Sequence, residues 1–94
     1  MVLLVPFHVH GPVWNEVFHG RKRWFVYPPD FRPRFDPDES QLHWAENVYP
    51  TLQDHELPLE CTCEPGEALY LPHDWWHATL NLDPYTCFMA TFCE

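Results

Sequence analysis

Short apolar runs, each about the length of a strand, are separated along this chain by clusters of proline, glycine and acidic residues. Leu3 to His10 alternates loosely after an apolar start and carries no helical spacing, so it predicts a strand ending at the turn formers Gly11-Pro12. Val13–His19 and Lys22–Tyr27 predict two more strands, split by Gly20 and closed by Pro28-Pro29; their closeness predicts a hairpin. Pro28 to Glu39 holds four of the eleven prolines and predicts an irregular surface loop. Asp38 or Ser40 can cap a helix running through about Tyr49, because Leu42, Ala45, Val48 and Tyr49 recur at helical spacing and Pro50 stops the run. Thr51 to Pro58 reads as loop. Four further runs follow, Leu59–Cys63, Ala68–Leu71, Trp75–Leu82 and Tyr85–Cys93, separated by Glu64-Pro65-Gly66-Glu67, Pro72-His73-Asp74 and Asp83-Pro84. Those intervals are typical of an all-β barrel or sandwich with one short helix.

Composition narrows the picture. Ninety-four residues, without an internal repeat, read as a single domain spanning 1–94, and 46% hydrophobic with 17% aromatic residues excludes a disordered chain. Fourteen acidic against five basic residues give a formal charge of −9, which opposes approach to a nucleic-acid backbone or an anionic membrane. The five basic residues, Arg21, Lys22, Arg23, Arg32 and Arg34, nevertheless fall within fourteen positions, a local cationic block that is either a solvated face or a place for a small anion. No stretch reaches the ~18–20 apolar residues of a membrane span. The opening Met1-Val-Leu-Leu-Val-Pro6 is shorter than the ~7–15-residue apolar region of a signal peptide and lacks its basic lead. Cys61, Cys63, Cys87 and Cys93 include no Cys-x-x-Cys pair, which leaves buried thiols and a disulfide both open. There is no Asn-x-Ser/Thr sequon.

Seven histidines invite a metal hypothesis, and spacing selects among them. His8 and His10, two apart on one extended segment, point from the same face. His77, which follows a turn and opens the apolar run toward Leu82, supplies a distant third ligand at a barrel mouth. His73 and His77 have the spacing of a helical zinc pair, but Pro72 and the β-like run argue against a helix there.

Two blocks of sequence carry a more specific likeness. The first is His8-Val-His10-Gly-Pro-Val-Trp14-Asn15, continuing through Gly20-Arg21-Lys22-Arg23-Trp24 to Pro28-Pro29; the second is Pro65-Gly66-Glu67, continuing through Leu71-Pro72-His73-Asp74-Trp75-Trp76-His77 to Asn81. In order and separation they resemble the jumonji-C (JmjC) family of cupin-fold oxygenases, over essentially the whole chain. The resemblance implies a double-stranded β-helix, Fe(II) held by His-x-Asp/Glu plus a distant His, 2-oxoglutarate as co-substrate and a protein as substrate. Residue by residue, His8 takes the place of the first iron ligand, His77 that of the last, and His10 falls where the family has its acidic ligand. Lys22 takes the place of a lysine that pairs with the distal carboxylate of 2-oxoglutarate, and Asn15 that of a polar residue beside it. On a strand Lys22 can reach inward while Arg21 and Arg23 stay in water.

The chain departs from the family in three ways. Three neutral histidines would replace the two-His-one-carboxylate set, a change that favours imidazole-friendly ions such as Zn²⁺ or Ni²⁺ over Fe(II). Three fewer residues separate the His-x-His pair from Trp14-Asn15 than in better-known members. The chain also begins about where the first iron-binding strand begins, so the helices and strand that precede it in the family are expected to be missing, as in a fragment or truncated product. The likeness implies a home in the lumen of the endoplasmic reticulum, which the cysteines tolerate. Two other functions fit the same residues: a non-catalytic JmjC-fold scaffold for protein interaction, and a three-histidine cupin dioxygenase that binds its substrate directly to iron.

Overall fold

The computed structural model describes residues 6–92, Phe92 by its backbone alone. Six strands, β1 (Val13–His19), β2 (Lys22–Tyr27), β3 (Leu59–Cys63), β4 (Ala68–Leu71), β5 (Trp76–Asn81) and β6 (Cys87–Phe92), form two antiparallel sheets in the orders β4-β1-β6 and β3-β2-β5. The protein is mainly β, a partial double-stranded β-helix with one short helical segment, as the apolar runs and the JmjC likeness predict. The expected strand Leu3–His10 lies partly outside the described residues. Within them, His8 alone of that run pairs, through an isolated antiparallel bridge to His77. The final run begins to pair at Cys87 rather than Tyr85, and Cys93 lies outside the described residues.

The expected hairpin of β1 and β2 does not form. These strands sit in opposite sheets, β1 between β4 and β6 and β2 between β3 and β5. Alternation explains the outcome: Val13, Asn15 and Val17 are the buried positions of β1, and Lys22, Trp24 and Val26 those of the inward face of β2. Each sheet thereby turns one buried face to the other, and Val13, Val17, Trp24, Val26, Cys63 and Leu71 pack as a shared core. Gly20 makes the crossing, with φ +78 in the left-handed region. A Cβ there would stand 2.5 Å from the Tyr85 carbonyl oxygen and 2.7 Å from Thr86 Oγ1. Gly20→Ala is therefore expected to cost about 2 kcal/mol, read as a lower urea midpoint with an unchanged slope.

Sheet β3-β2-β5 is covered on its outer side as well. Phe25 and Tyr27, on the other face of β2, pack with Phe7, Trp44, Ala78 and Leu80 in a second core. The long Pro28–Pro58 connection supplies that cover. Ser40 caps its helical segment as expected, its Oγ accepting from the His43 N–H at 3.1 Å. The segment is less regular than its spacing predicts: an α turn at Gln41–His43 widens to a π turn at Trp44–Val48, then narrows to 3-10 at Tyr49–Thr51. Gln41 and Trp44 face the core while Leu42 is 48% exposed, because the larger Trp44 side chain takes the buried position and donates its indole N–H to the Arg34 carbonyl at 2.8 Å. A further 3-10 turn, Asp54–Glu56, interrupts the expected loop.

Candidate metal centre

His8, His10 and His77 meet at one end of the β-helix. Reciprocal backbone bonds fix the register: the His8 N–H donates to the His77 carbonyl at 3.1 Å, the His77 N–H returns to the His8 carbonyl at 3.0 Å, and the Asp74 N–H reaches the His10 carbonyl at 3.0 Å. The ring centroids of His77 lie 4.2 Å from His8 and 4.5 Å from His10, and one ligand nitrogen from each of the three lies within 4.8 Å of the others. No carboxylate belongs to the group among the described residues.

Backbone carbonyls orient all three rings. Nδ1 of His8 lies 3.0 Å from the Pro6 oxygen, that of His10 2.8 Å from the Gly11 oxygen and that of His77 3.0 Å from the Trp75 oxygen. A carbonyl only accepts, so each Nδ1 carries a proton and turns its Nε2 toward the centre of the group. That is the outer support found behind metal-binding imidazoles. The Nε2 atoms of His10 and His77 are 3.0 Å apart. A proton shared between them, or a cation bound by both, suits that contact. The donor set therefore fits a divalent ion, and imidazole suits Zn, Ni and Fe alike.

Burial sets the protonation state of His77. It is 4% exposed, and desolvation pushes its pKa down to about 4 against the help of the Trp75 carbonyl. In the unfolded chain the same group titrates near 6.5. Between those values the unfolded state binds more protons, so this contribution to the stability of metal-free protein is fully present above pH 6.5 and is lost as the pH falls toward 4. The loss amounts to roughly 3 kcal/mol. His77→Gln is expected to flatten this slope in denaturant titrations run across that range.

Deeper along the same interior lies a second polar group. Lys22 is 5% exposed, its Nζ held 3.1 Å from the centroid of Phe88 and 5.4 Å from that of Trp24, and burial lowers its pKa to about 8. Arg21 and Arg23 instead point outward to Asp83 and Glu60. Lys22 makes no ion pair among the described residues. Its cross-strand neighbour Cys63 stays a neutral thiol, since burial raises its pKa to about 11. Among the described residues, Asn15, 4% exposed, has no partner for its Oδ1, and Trp24, 3% exposed, none for its indole N–H. Buried polar atoms are rarely left without partners. An interior ammonium and an indole donor fit a carboxylate ligand, whereas the Asn15 Oδ1 is an acceptor and calls for a donor. Trp24 went unremarked as a polar group in the sequence, although its place two residues after Lys22 puts it on the same face of β2. The carbonyls of Pro6, Gly11 and Trp75 gave no signal, because every residue carries one.

A family profile described as a cupin-like domain matches residues 14–92. The chain belongs to the cupin-like domain family. This cupin-like chain is 56% identical over 88 residues to JmjC domain-containing protein 8 of Rattus norvegicus, a match covering 94% of the chain and 32% of that relative. It is 39% identical over 92 residues to a lysine-specific demethylase of Arabidopsis thaliana, covering 84% of the chain and 10% of the relative. It is also 32% identical over 89 residues to a 2-oxoglutarate and iron-dependent oxygenase of Mus musculus, covering 83% and 21%. The chain thus spans about a third of the JmjC domain-containing protein 8 sequences it matches. The JmjC likeness is upheld. Of the cysteines in this cupin-like domain, Cys61, Cys63 and Cys87 are free thiols. No helix among the described residues is long and apolar enough to cross a membrane.

Proposed function

We propose that this chain is the metal-binding core of a JmjC-type oxygenase-like protein of the endoplasmic-reticulum lumen, which acts on a protein substrate. His8, His10 and His77 would hold one divalent ion, and Lys22 and Trp24, beside Asn15, would hold 2-oxoglutarate. The convergence of three outward-braced Nε2 atoms carries the reading. Charge supports the co-substrate: a divalent ion and the Lys22 ammonium share an interior where the metal group contains no carboxylate among the described residues, and a dianion offsets most of their combined charge. When bound, iron with 2-oxoglutarate supplies the oxidising chemistry. This chain's part is to fix three imidazoles, anchor the far carboxylate at Lys22 and keep the pocket dry with Trp24 and Val26. A demethylase and an oxygenase among the relatives support the reaction class.

The test is titration of metal-loaded protein with 2-oxoglutarate, followed by tryptophan fluorescence and succinate release. Lys22→Met is expected to weaken 2-oxoglutarate binding at least about tenfold while leaving metal affinity unchanged. Equal binding by the variant contradicts the assignment. The all-histidine set favours a second reading, a dioxygenase whose substrate binds iron directly; turnover of a thiol substrate without 2-oxoglutarate selects it.

A further inference from the structure

A second group of metal-seeking side chains lies apart from the histidines, on β3. Cys61 and Cys63 are two residues apart on that strand and so share one of its faces, where they stand opposite Trp24 and Lys22 on the inward face of β2. Both are free thiols, and the Cys63 S–H donates to the Cys61 sulfur. Cys63 is 6% exposed and packs in the core with Val17, Trp24 and Leu71. Cys61 is exposed and lines a cleft of about 310 Å³ with Leu59, Tyr70 and Trp75. One thiol is thus sealed in apolar surroundings while the other opens to water, which gives an ion a way in.

Spacing and charge select the ligand. Alternate residues of an extended strand lie about 6.8 Å apart at Cα, the outer end of what a disulfide spans, so a bridge between Cys61 and Cys63 would pull β3 out of its ladder with β2. An ion held between the two sulfurs needs no such movement. No third histidine, cysteine or carboxylate converges on the pair among the described residues. A tetrahedral ion such as Zn²⁺ would therefore be left half-coordinated, whereas Cu(I) is soft and is satisfied by two thiolates. Two thiolates around a monovalent ion carry one net negative charge. Lys22, opposite Cys63, supplies the opposite charge, being 5% exposed and without an acidic partner among the described residues. Glu67 is the acid that acts on both thiols, and its carboxylate accepts the Glu64 N–H at 2.7 Å. Burial keeps both thiols protonated, pushing Cys63 up to about 11, so an ion must displace two protons. The same protonation makes the metal-free pair a poor nucleophile.

We propose that Cys61 and Cys63 form a second metal site, which takes a soft monovalent ion of the Cu(I) class as a bis-thiolate, with both thiol protons released to solvent and the remaining charge offset by Lys22. The site stands apart from the histidine centre and does not rest on the proposed function. The test is an anaerobic titration of the full chain with Cu(I), in competition against bicinchoninate, with the ion's neighbours counted by X-ray absorption at the copper edge. One equivalent is expected to bind in a shell of two sulfurs and no imidazole, with an affinity that rises about a hundredfold per pH unit between about pH 6 and 8. Cys61→Ser, at an exposed position outside the core, is expected to lose at least about a hundredfold in affinity and Lys22→Met about tenfold, while Cys87→Ser and His10→Ala change nothing. A shell of imidazoles, which places the ion at the histidine centre, native affinity in Cys61→Ser, or an affinity independent of pH overturns the proposal. So does ready closure of a Cys61–Cys63 disulfide in mixed reduced and oxidised glutathione, mapped by mass spectrometry, which assigns the pair to thiol exchange instead.

Discussion

Alanine in place of His77 is expected to abolish binding of a divalent ion, with the affinity for Zn²⁺ or Ni²⁺ falling by at least about a hundredfold in competition against a chromophoric chelator. The variant leaves two imidazoles, and it also removes the ring that His10 faces at 3.0 Å. His8→Ala is expected to do the same for a different reason, since His8 keeps its backbone bridge to His77 in the variant and only the ligand is lost. His73→Ala serves as the control. His73 is paired with its neighbour Asp74 and is no part of the cluster, so its loss is expected to leave affinity unchanged.

His10→Asp is the substitution expected to change the identity of the metal. Three neutral imidazoles leave the charge of a divalent ion uncompensated, whereas a carboxylate supplies one negative charge and a harder oxygen. Native protein is therefore expected to prefer Zn²⁺ or Ni²⁺ and to release little succinate from 2-oxoglutarate. The variant is expected to gain about tenfold in affinity for Fe(II), relative to Zn²⁺, and to consume 2-oxoglutarate without coupling it to a substrate. Parallel titrations with the two ions and a succinate-release assay compare them. Abundant succinate from native protein that disappears in His10→Asp contradicts the role given to position 10.

The strands were legible because each is a short apolar run between turn formers, and β1 to β6 fall within a residue or two of those runs. Pairing was not. Val13–His19 and Lys22–Tyr27 look like a hairpin on local spacing, and only the burial of Asn15 and Lys22 on facing sides shows that they belong to opposite sheets. Register across sheets is a long-range property that a two-residue connection does not encode. The helix face misled for a related reason: spacing selects Leu42, while packing selects Trp44 and Gln41. The histidine trio was legible from strand alternation and the family likeness together. What orients it was not, since carbonyl supports belong to backbone geometry rather than to residue type.

The central claim is that His8, His10 and His77 bind one ion together through Nε2. X-ray absorption fine structure at the zinc edge, on protein loaded with one equivalent of Zn²⁺, tests it most directly. The account predicts three imidazole nitrogens at about 2.0–2.1 Å in native protein and no protein-held zinc in His10→Ala. A native shell with fewer than three imidazoles, or one that includes a sulfur, contradicts it.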